Sequence, residues 1–596
     1  MQGLNLAVVG NCAIASLIAR DGKHVWFCFP RLDGDPLFCS LLGGQTADAG
    51  FMDVQVRDMV SSTQSYVPST PVLETIITDK AGAKLKLIDF APRFERYGRT
   101  FRPPLLVRRI VPVQGRPRIK VRIRPRFSYG AVTGAVNIGS NHMRHVGPSA
   151  TLRVTSDMPF SYVMDETEFV LDRPINLFVG ADEPIPENPD TLAQSFLQQT
   201  VLYWLDWVRG LSLPFDWQEE VISSAITLKL CSYEDTGAIV AALTTSIPEA
   251  PNTVRNWDYR YCWMRDAFFT VGALNRLGAT RTMEGFIRFV VDAALRDDDV
   301  TVAPLYPITS GTYVDERIAE ALPGFLGMGP VRIGNAAAAQ VQNDSYGSII
   351  LTASQMFWDT RLAGSLDGSL YQHLKAIGRM AAKTALEPDA GPWEYRGRKV
   401  VHTYSAVMCW AGIHRLAMIA EKLGEMADAA LWRSQAKALR AEILKRATTA
   451  QGWISGAFDG EVADASSLLL PEVGFLPPGD ERMTKTIDVV GERLIHQGFA
   501  MRYSDADDFG RPETAFLICT FWYVDALALA GRRDEARVIF ERALSCRNQV
   551  GLLSEDFDPS SKLLWGNFPQ AYSHVGLIHS AARLSRGWEE ALWRAS

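Results

Sequence analysis

Eleven consecutive residues, Asn256-Trp257-Asp258-Tyr259-Arg260-Tyr261-Cys262-Trp263-Met264-Arg265-Asp266, hold four aromatic rings, two arginines and two aspartates. An apolar helical run follows directly, at 267–277. Such a stretch is too polar for a core and too aromatic for a solvated face. Tyr and Trp rings stack on the apolar side of a polyhydroxylated ring. Arg265 and Asp266 would then serve its hydroxyls as donor and acceptor, through charge-assisted hydrogen bonds. An Arg–Asp pair stapling a helix start, with Asp266 near the cap, accounts for the same residues. Both readings stand on this stretch alone.

Two other stretches supply carboxylates. In Gly391-Pro392-Trp393-Glu394-Tyr395-Arg396-Gly397 one glutamate lies between two aromatics in a turn. An adjacent indole excludes water and moves a carboxyl toward the proton-donating range, whereas pairing with Arg396 would oppose this. The alternative is a surface glutamate beside a packed Trp393. In Gly551-Leu552-Leu553-Ser554-Glu555-Asp556-Phe557-Asp558-Pro559, Glu555 has acidic neighbours and is expected in a polar, wet setting, which suits an ionised base activating water. A plain turn or a cation-binding sequence is the competing reading. Asp505, Asp507 and Asp508 read as a solvated acidic loop, and no His/Cys/Asp set has metal spacing. Two carboxylates on separate loops, aromatic walls and an Arg–Asp clamp are the parts of a glycoside hydrolase, which needs a proton donor on the bond oxygen and a base for water on the opposite ring face.

The elements that must hold these loops divide the 596 residues in three. The length exceeds one ordinary core, so at least two domains are expected. Residues 1–190 show short alternating segments at 13–19, 24–28, 72–78, 84–89, 105–113, 119–123, 169–171 and 175–179, punctuated by Gly, Pro, Asp and Asn as in a β-sandwich. The alternation at 120–126 carries one cationic face and reads as a solvated edge strand rather than a ligand groove. Helical periodicity begins at 191–210, so 191–215 is expected to be a linker helix. Residues 216–596 show eleven helical patterns and a weaker twelfth at 466–473. Twelve helices closed in a ring make an (α/α)6 barrel, and an open solenoid is the competitor. The polar, aromatic and Gly-rich stretches 257–266, 330–344, 391–399, 501–511 and 551–566 fall between helices, where loops on a rigid scaffold build a site.

Several blocks together resemble glycoside hydrolase family 15, the glucoamylase-like and trehalase-like enzymes: Thr236-Gly-Ala-Ile-Val-Ala-Ala, the 256–266 stretch, Pro330-Val-Arg-Ile-Gly-Asn-Ala-Ala, Trp393-Glu-Tyr-Arg-Gly, Phe516-Leu-Ile-Cys-Thr-Phe-Trp and Gly566-Asn-Phe-Pro-Gln-Ala-Tyr-Ser-His. Gly10-Asn-Cys-Ala-Ile-Ala-Ser and Phe29-Pro-Arg-Leu-Asp-Gly-Asp-Pro are similar to the β-domain of that family's trehalase-like bacterial branch, which favours Thr near Cys12 and Ser near Gly34. The resemblance implies a β-sandwich before an (α/α)6 barrel, and inversion at an α-glucosidic carbon. It makes Glu394 the general acid and Glu555 the general base, with carboxyls about 6.5–9.5 Å apart. Arg265 and Asp266 would grip the innermost glucose, Tyr259 and Trp263 would line it, Trp393 would wall the pocket, and Arg502 would contact the next ring. Tyr395 stands where fungal glucoamylases carry another acidic residue.

Trehalose is the substrate this branch implies, ahead of maltose, isomaltose or dextrin ends. A sugar-binding protein without catalysis and a phosphorylase are the readings from other classes; the presence of both glutamates argues against the first. A net charge of −6, with 21% charged and 47% hydrophobic residues, gives no sign of nucleic-acid binding, which would favour a basic stripe. The eight cysteines lack CxxC or CxxH spacing and read as buried thiols of a reducing compartment. No cationic leader and no run of about 18 apolar residues is present, so a cytoplasmic protein without membrane partner, metal or cofactor is expected. Monomer and homo-oligomer stay open.

Overall fold

The computed structural model describes residues 3–294, 302–310, 314–362 and 368–592. Leu295, the expected end of one helix, and 593–596, the end of the expected helical domain, lie outside them, as do Met1 and Gln2.

All eight alternating segments form strands, in two antiparallel sheets facing each other. One runs in the order Leu6–Gly10, Ala15–Ala19, His24–Phe29, Phe51–Val56, Arg118–Arg124, Phe169–Val170, with Asp35–Phe38 added on His24–Phe29. The other runs Ala135–Ile138, His142–Val146, Thr151–Ser156, Ile175–Gly180, Leu105–Gln114, Lys84–Phe90, Leu73–Asp79, Met59–Tyr66. Phe27, Leu37 and Met52 of the first meet Leu85, Leu106 and Leu177 of the second between the sheets. The second sheet is buried on its outer face too, where Ile88, Phe90, Val107 and Phe178 pack on Ala193 and Phe196 of the helix Pro189–Arg209. That helix starts as its sequence dictates: the Asn188 side chain accepts from the N–H groups of Asp190 and Thr191, ahead of Pro189 in the first turn. The cationic strand is an edge over most of its length: Arg118–Arg124 pairs with Phe51–Val56, whereas Phe169–Val170 on the other side reaches only Arg118 and Ile119. Its arginines are neutralised, Arg122 Nε lying 2.9 Å from Asp53 on the paired strand and Arg124 Nε 2.7 Å from Glu166 in a turn. Those partners are distant in the chain, so the alternation alone could not show them.

In the C-terminal part six helices make an inner ring: Met264–Arg276, Asp344–Trp358, Thr403–Leu423, the short 3-10 helix Ala465–Leu469, Leu517–Leu529 and Ala571–Leu584. Each packs on the next and the last packs on the first, so the ring closes. Gln218–Leu230, Thr280–Ala294, Gly368–Thr384, Met426–Ala447, Glu481–Arg493 and Arg533–Leu544 pack outside it. This is the (α/α)6 barrel rather than a solenoid. Inner helices are largely buried, with exposed positions such as Arg276 and Met418 toward their C-terminal halves. Asp344–Trp358 and Thr403–Leu423 approach so closely that a Cβ on Gly347 would stand 1.9 Å from the carbonyl oxygen of Met408. The helix expected from 513 begins only at Leu517, because Ala515–Phe516 is drawn into a three-stranded sheet with Asp556–Asp558 and Leu563–Trp565.

The sandwich braces the barrel's loops. Trp26 Nε1 donates to the Leu243 carbonyl at 2.8 Å, and the buried Arg260 donates to the Gly34 carbonyl at 2.9 Å and the Tyr129 hydroxyl at 2.8 Å. Cys12 and Gly34, the two departures from the family pattern, both lie in this contact, Cys12 Sγ reaching the Lys229 carbonyl at 3.1 Å. Within the sandwich, Ser16, His24 and Asp89 form a serine–histidine–aspartate chain at 2.8 and 3.2 Å, but all three are sealed in the core and Arg108 occupies the aspartate.

Candidate active site

All five inter-helix loops singled out from the sequence open onto one cavity of about 940 Å3, measured out to its solvent mouth. Tyr259, Trp263, Arg265 and Asp266 line it from the first loop, Trp393 and Glu394 from the third, Arg502 from the fourth and Glu555 from the fifth. No sandwich residue lines it among the described residues. The sandwich acts one layer back. Arg260 also clamps Asp258 through both carboxylate oxygens, at 2.9 and 2.7 Å, and Asp258 in turn accepts from the Gly334 N–H. The 256–266 stretch therefore alternates: Asp258 and Arg260 anchor it behind, while Trp257, Tyr259 and Trp263 face the cavity.

Glu394 projects from a turn closed by its own N–H on the Gly391 carbonyl at 3.2 Å and by Tyr395 N–H on the Ala390 carbonyl at 3.0 Å. Its φ of +62° lies in the left-handed region that side chains disfavour. The indole beside the carboxylate is Trp263, whose Nε1 donates at 2.6 Å, and Arg265 joins at 3.2 Å. The sequence neighbour Trp393 instead donates its N–H to Asp464 at 2.8 Å and packs among Tyr503, Phe516 and Trp522. Arg396 leaves Glu394 alone and pairs with Glu316 at 3.1 Å. Arg265 also donates to the Pro392 carbonyl at 2.6 Å and to Asp266 at 3.1 Å, so it ties the first helix start to the Glu394 turn.

Glu555 is fixed by backbone bonds on both sides, its carbonyl accepting from Leu517 N–H at 2.9 Å and its N–H donating to Asn567 at 3.3 Å. The expected wet setting is wrong. Glu555 is 2% exposed, and burial followed by Glu249 pushes its carboxyl up, against the Tyr259 hydroxyl bond and Arg502. Its acidic company persists, but folded inward: Glu249, Glu555 and Asp556 bring one oxygen each within 4.8 Å of one another, the spacing of a cation site, with two arginines already against it. Arg502 holds both oxygens of Glu249. The 505–508 loop is exposed at Asp505 and Asp508, as a solvated acidic run would be, but two of its aspartates are engaged. Asp507 pairs with the buried Arg255, and Asp508 accepts from the N–H groups of Arg396 at 2.6 Å and Gly397 at 3.0 Å.

Sequence reasoning missed Glu249, Arg255, Tyr404, Phe509 and Tyr572 of the lining. Glu249 is one acid in a Pro-flanked loop and Tyr404 belongs to an apolar helix, so no local signal marks them. Gln570 and Tyr572 did carry a signal, inside the Gly566–His574 block. Asp344, at the start of an inner helix behind Arg265, is pushed up to about 7 by burial, against Arg265.

Two carboxyls facing one aromatic-walled hollow at the loop end of an (α/α)6 barrel define a glycoside hydrolase. The family model for glycosyl hydrolases family 15 matches residues 217–582, and that for a trehalase-like N-terminal domain matches residues 4–165. A trehalase from Mycobacterium tuberculosis is 32% identical over 616 residues, covering 98% of this chain and 90% of the relative. A trehalase from Thermoplasma volcanium is 32% identical over 598 residues, covering 98% and 93%. Among solved structures, a bacterial glucoamylase complexed with acarbose shares the fold, with a TM-score of 0.69 at 12% identity over 98% of this chain and 94% of that one. The chain belongs to glycoside hydrolase family 15.

Proposed function

We propose that this enzyme hydrolyses trehalose by single displacement. The observation that carries the mechanism is that Glu394 and Glu555, 161 residues apart by subtraction of their numbers, open onto the same cavity; the substrate rests on the trehalases that match along nearly the whole chain. Arg265 and Asp266 take the hydroxyls of the inner glucose, Tyr259 and Trp263 line it, Trp393 walls the pocket, and Arg502 orients the second ring. Glu394 gives its proton to the bridging oxygen as that bond breaks. Glu555 takes a proton from a water whose oxygen attacks the anomeric carbon from the other face, a displacement that needs carboxyls about 6.5–9.5 Å apart. Side-by-side hydrolysis of trehalose, kojibiose, isomaltose and maltose tests this: kcat/KM is greatest for trehalose, and a preference for maltose or isomaltose would make the enzyme a glucan α-glucosidase instead.

The proposed division is sandwich 1–190, linker helix 191–215 and catalytic barrel 216–596; the core between the two sheets supports it, while the barrel's core runs on into the sandwich through Trp26 and Leu42. No described helix is long and apolar enough to cross a membrane. A cytoplasmic location is part of the proposal, supported by eight buried free cysteines.

A further inference from the structure

Three carboxyls meet beside the cavity with two guanidiniums to balance them. Arg502 is held by Glu249, and Arg255 lies 3.7 Å from Glu249 but is shared with Asp507. Facing the cluster besides these are the Tyr259 hydroxyl on Glu555, the Thr514 hydroxyl on Asp556, Glu394 across the cavity and Cys519 behind Asp556. Three ionised carboxylates packed this closely and out of water repel strongly, so the cluster retains a proton. Its location decides whether an ionised base faces the sugar.

The three sites are unequal. Glu249 has both oxygens on a guanidinium. Glu555 reaches the cavity and accepts the Tyr259 hydroxyl. Asp556 has neither advantage: it is 0% exposed and absent from the cavity wall, Oδ1 receives only Thr514 Oγ1 at 3.2 Å, and Oδ2 has no donor. Nothing there solvates a charge, so the neutral acid is favoured. Gly566 presses the two neighbours together, since a Cβ on it would stand 2.9 Å from Glu555 Oε2 and 3.0 Å from Asp556 Oδ2.

We infer that Asp556 holds the proton this trio retains at neutral pH, and so serves as a positioning residue that leaves Glu555 as the ionised member facing the sugar. Burial, then Glu249 and Glu555, push the Asp556 carboxyl well up, in the same sense. The inference rests on Glu555 being the base, and its test is independent of turnover. Infrared difference spectra of wild type minus Asp556→Asn at neutral pH contain the C=O stretch of one protonated carboxyl, and that band moves when aspartate, not glutamate, carries a carbon-13 carboxyl. A band that moves with labelled glutamate, or no band at all, overturns the inference. Asp556→Ser gives the same subtraction should the Asn variant not fold. In the Asn variant the acid limb of kcat/KM against pH stays within about half a unit of wild type, whatever the rate, because an amide replaces a neutral acid. A fall of that limb by about a unit or more means Asp556 was charged and also overturns it. Failure of the base reading has a different signature, a Glu555→Gln enzyme that retains turnover.

Discussion

Glu394 keeps a backbone conformation that costs a side chain on the order of 1–3 kcal/mol, in a turn held by two backbone bonds and by the Trp263 and Arg265 contacts to its carboxylate. The surroundings thus fix where this carboxyl points before any sugar arrives. Glu394→Gln and Glu555→Gln each lower kcat by about 10²–10⁴-fold, the usual worth of a positioned acid or base, with an unchanged circular dichroism spectrum. A variant within threefold of wild type would remove its residue from the mechanism. Gly566→Ala is the sharper probe of the base. At φ +73° its Cβ would also lie 2.7 Å from that of Glu555, so it displaces the carboxyl. The expected result is a kcat loss of more than about tenfold with about 1 kcal/mol or more lost in urea unfolding. The types and order of these residues were legible in the sequence. Their environments were not: Glu394 borrows an indole from 131 positions away rather than from its neighbour, and Glu555 is buried with Glu249 of another loop beside its neighbour Asp556.

Loops are positioned here by one another. Asp508 pins the fourth loop to the third through two backbone N–H groups 112 and 111 residues away, and Asp507 binds Arg255 at a separation of 252. Such distances explain why the engagements of these aspartates were not legible: the exposed loop was read correctly from composition and the partners lay elsewhere. Removing a carboxylate that accepts two N–H bonds loosens the wall where the outer sugar sits, so Asp508→Ala raises KM for trehalose by about tenfold and changes kcat less. Steady-state kinetics check this, and a kcat effect without a KM effect would contradict it. Helix periodicity was the most legible feature, because each inner helix needs an outer one to bury it. Its failures came where tertiary pairing overrode the pattern, as at Ala515–Phe516, which the sheet beneath Glu555 takes from the following helix.

At the scale of the molecule, Arg260 joins sandwich and barrel, with Asp258 as its fully buried counter-ion. Arg260→Met leaves that charge unpaired and costs about 3–5 kcal/mol in urea unfolding, and a loss below about 1 kcal/mol would discount the clasp. Buried histidines set part of the acid response. Burial lowers His574 to about 3, where Nε2 accepts the Leu553 N–H on the loop carrying Glu555. Above about pH 6.5 neither state of the chain protonates it. Below that the unfolded chain does and the folded one does not, so stability is lost as pH falls from about 6.5 toward 3. His574→Asn is therefore less stable than wild type at pH 7, and its deficit narrows by about 2 kcal/mol at pH 5. The central claim, one displacement between two facing glutamates, has a direct readout in the sugar released. Trehalose has two α-linked carbons; the one attacked inverts to β-glucose and the other leaves as α-glucose. Proton NMR within seconds of mixing, before mutarotation, should find the two anomers in equal amounts, and α-glucose alone would contradict the account.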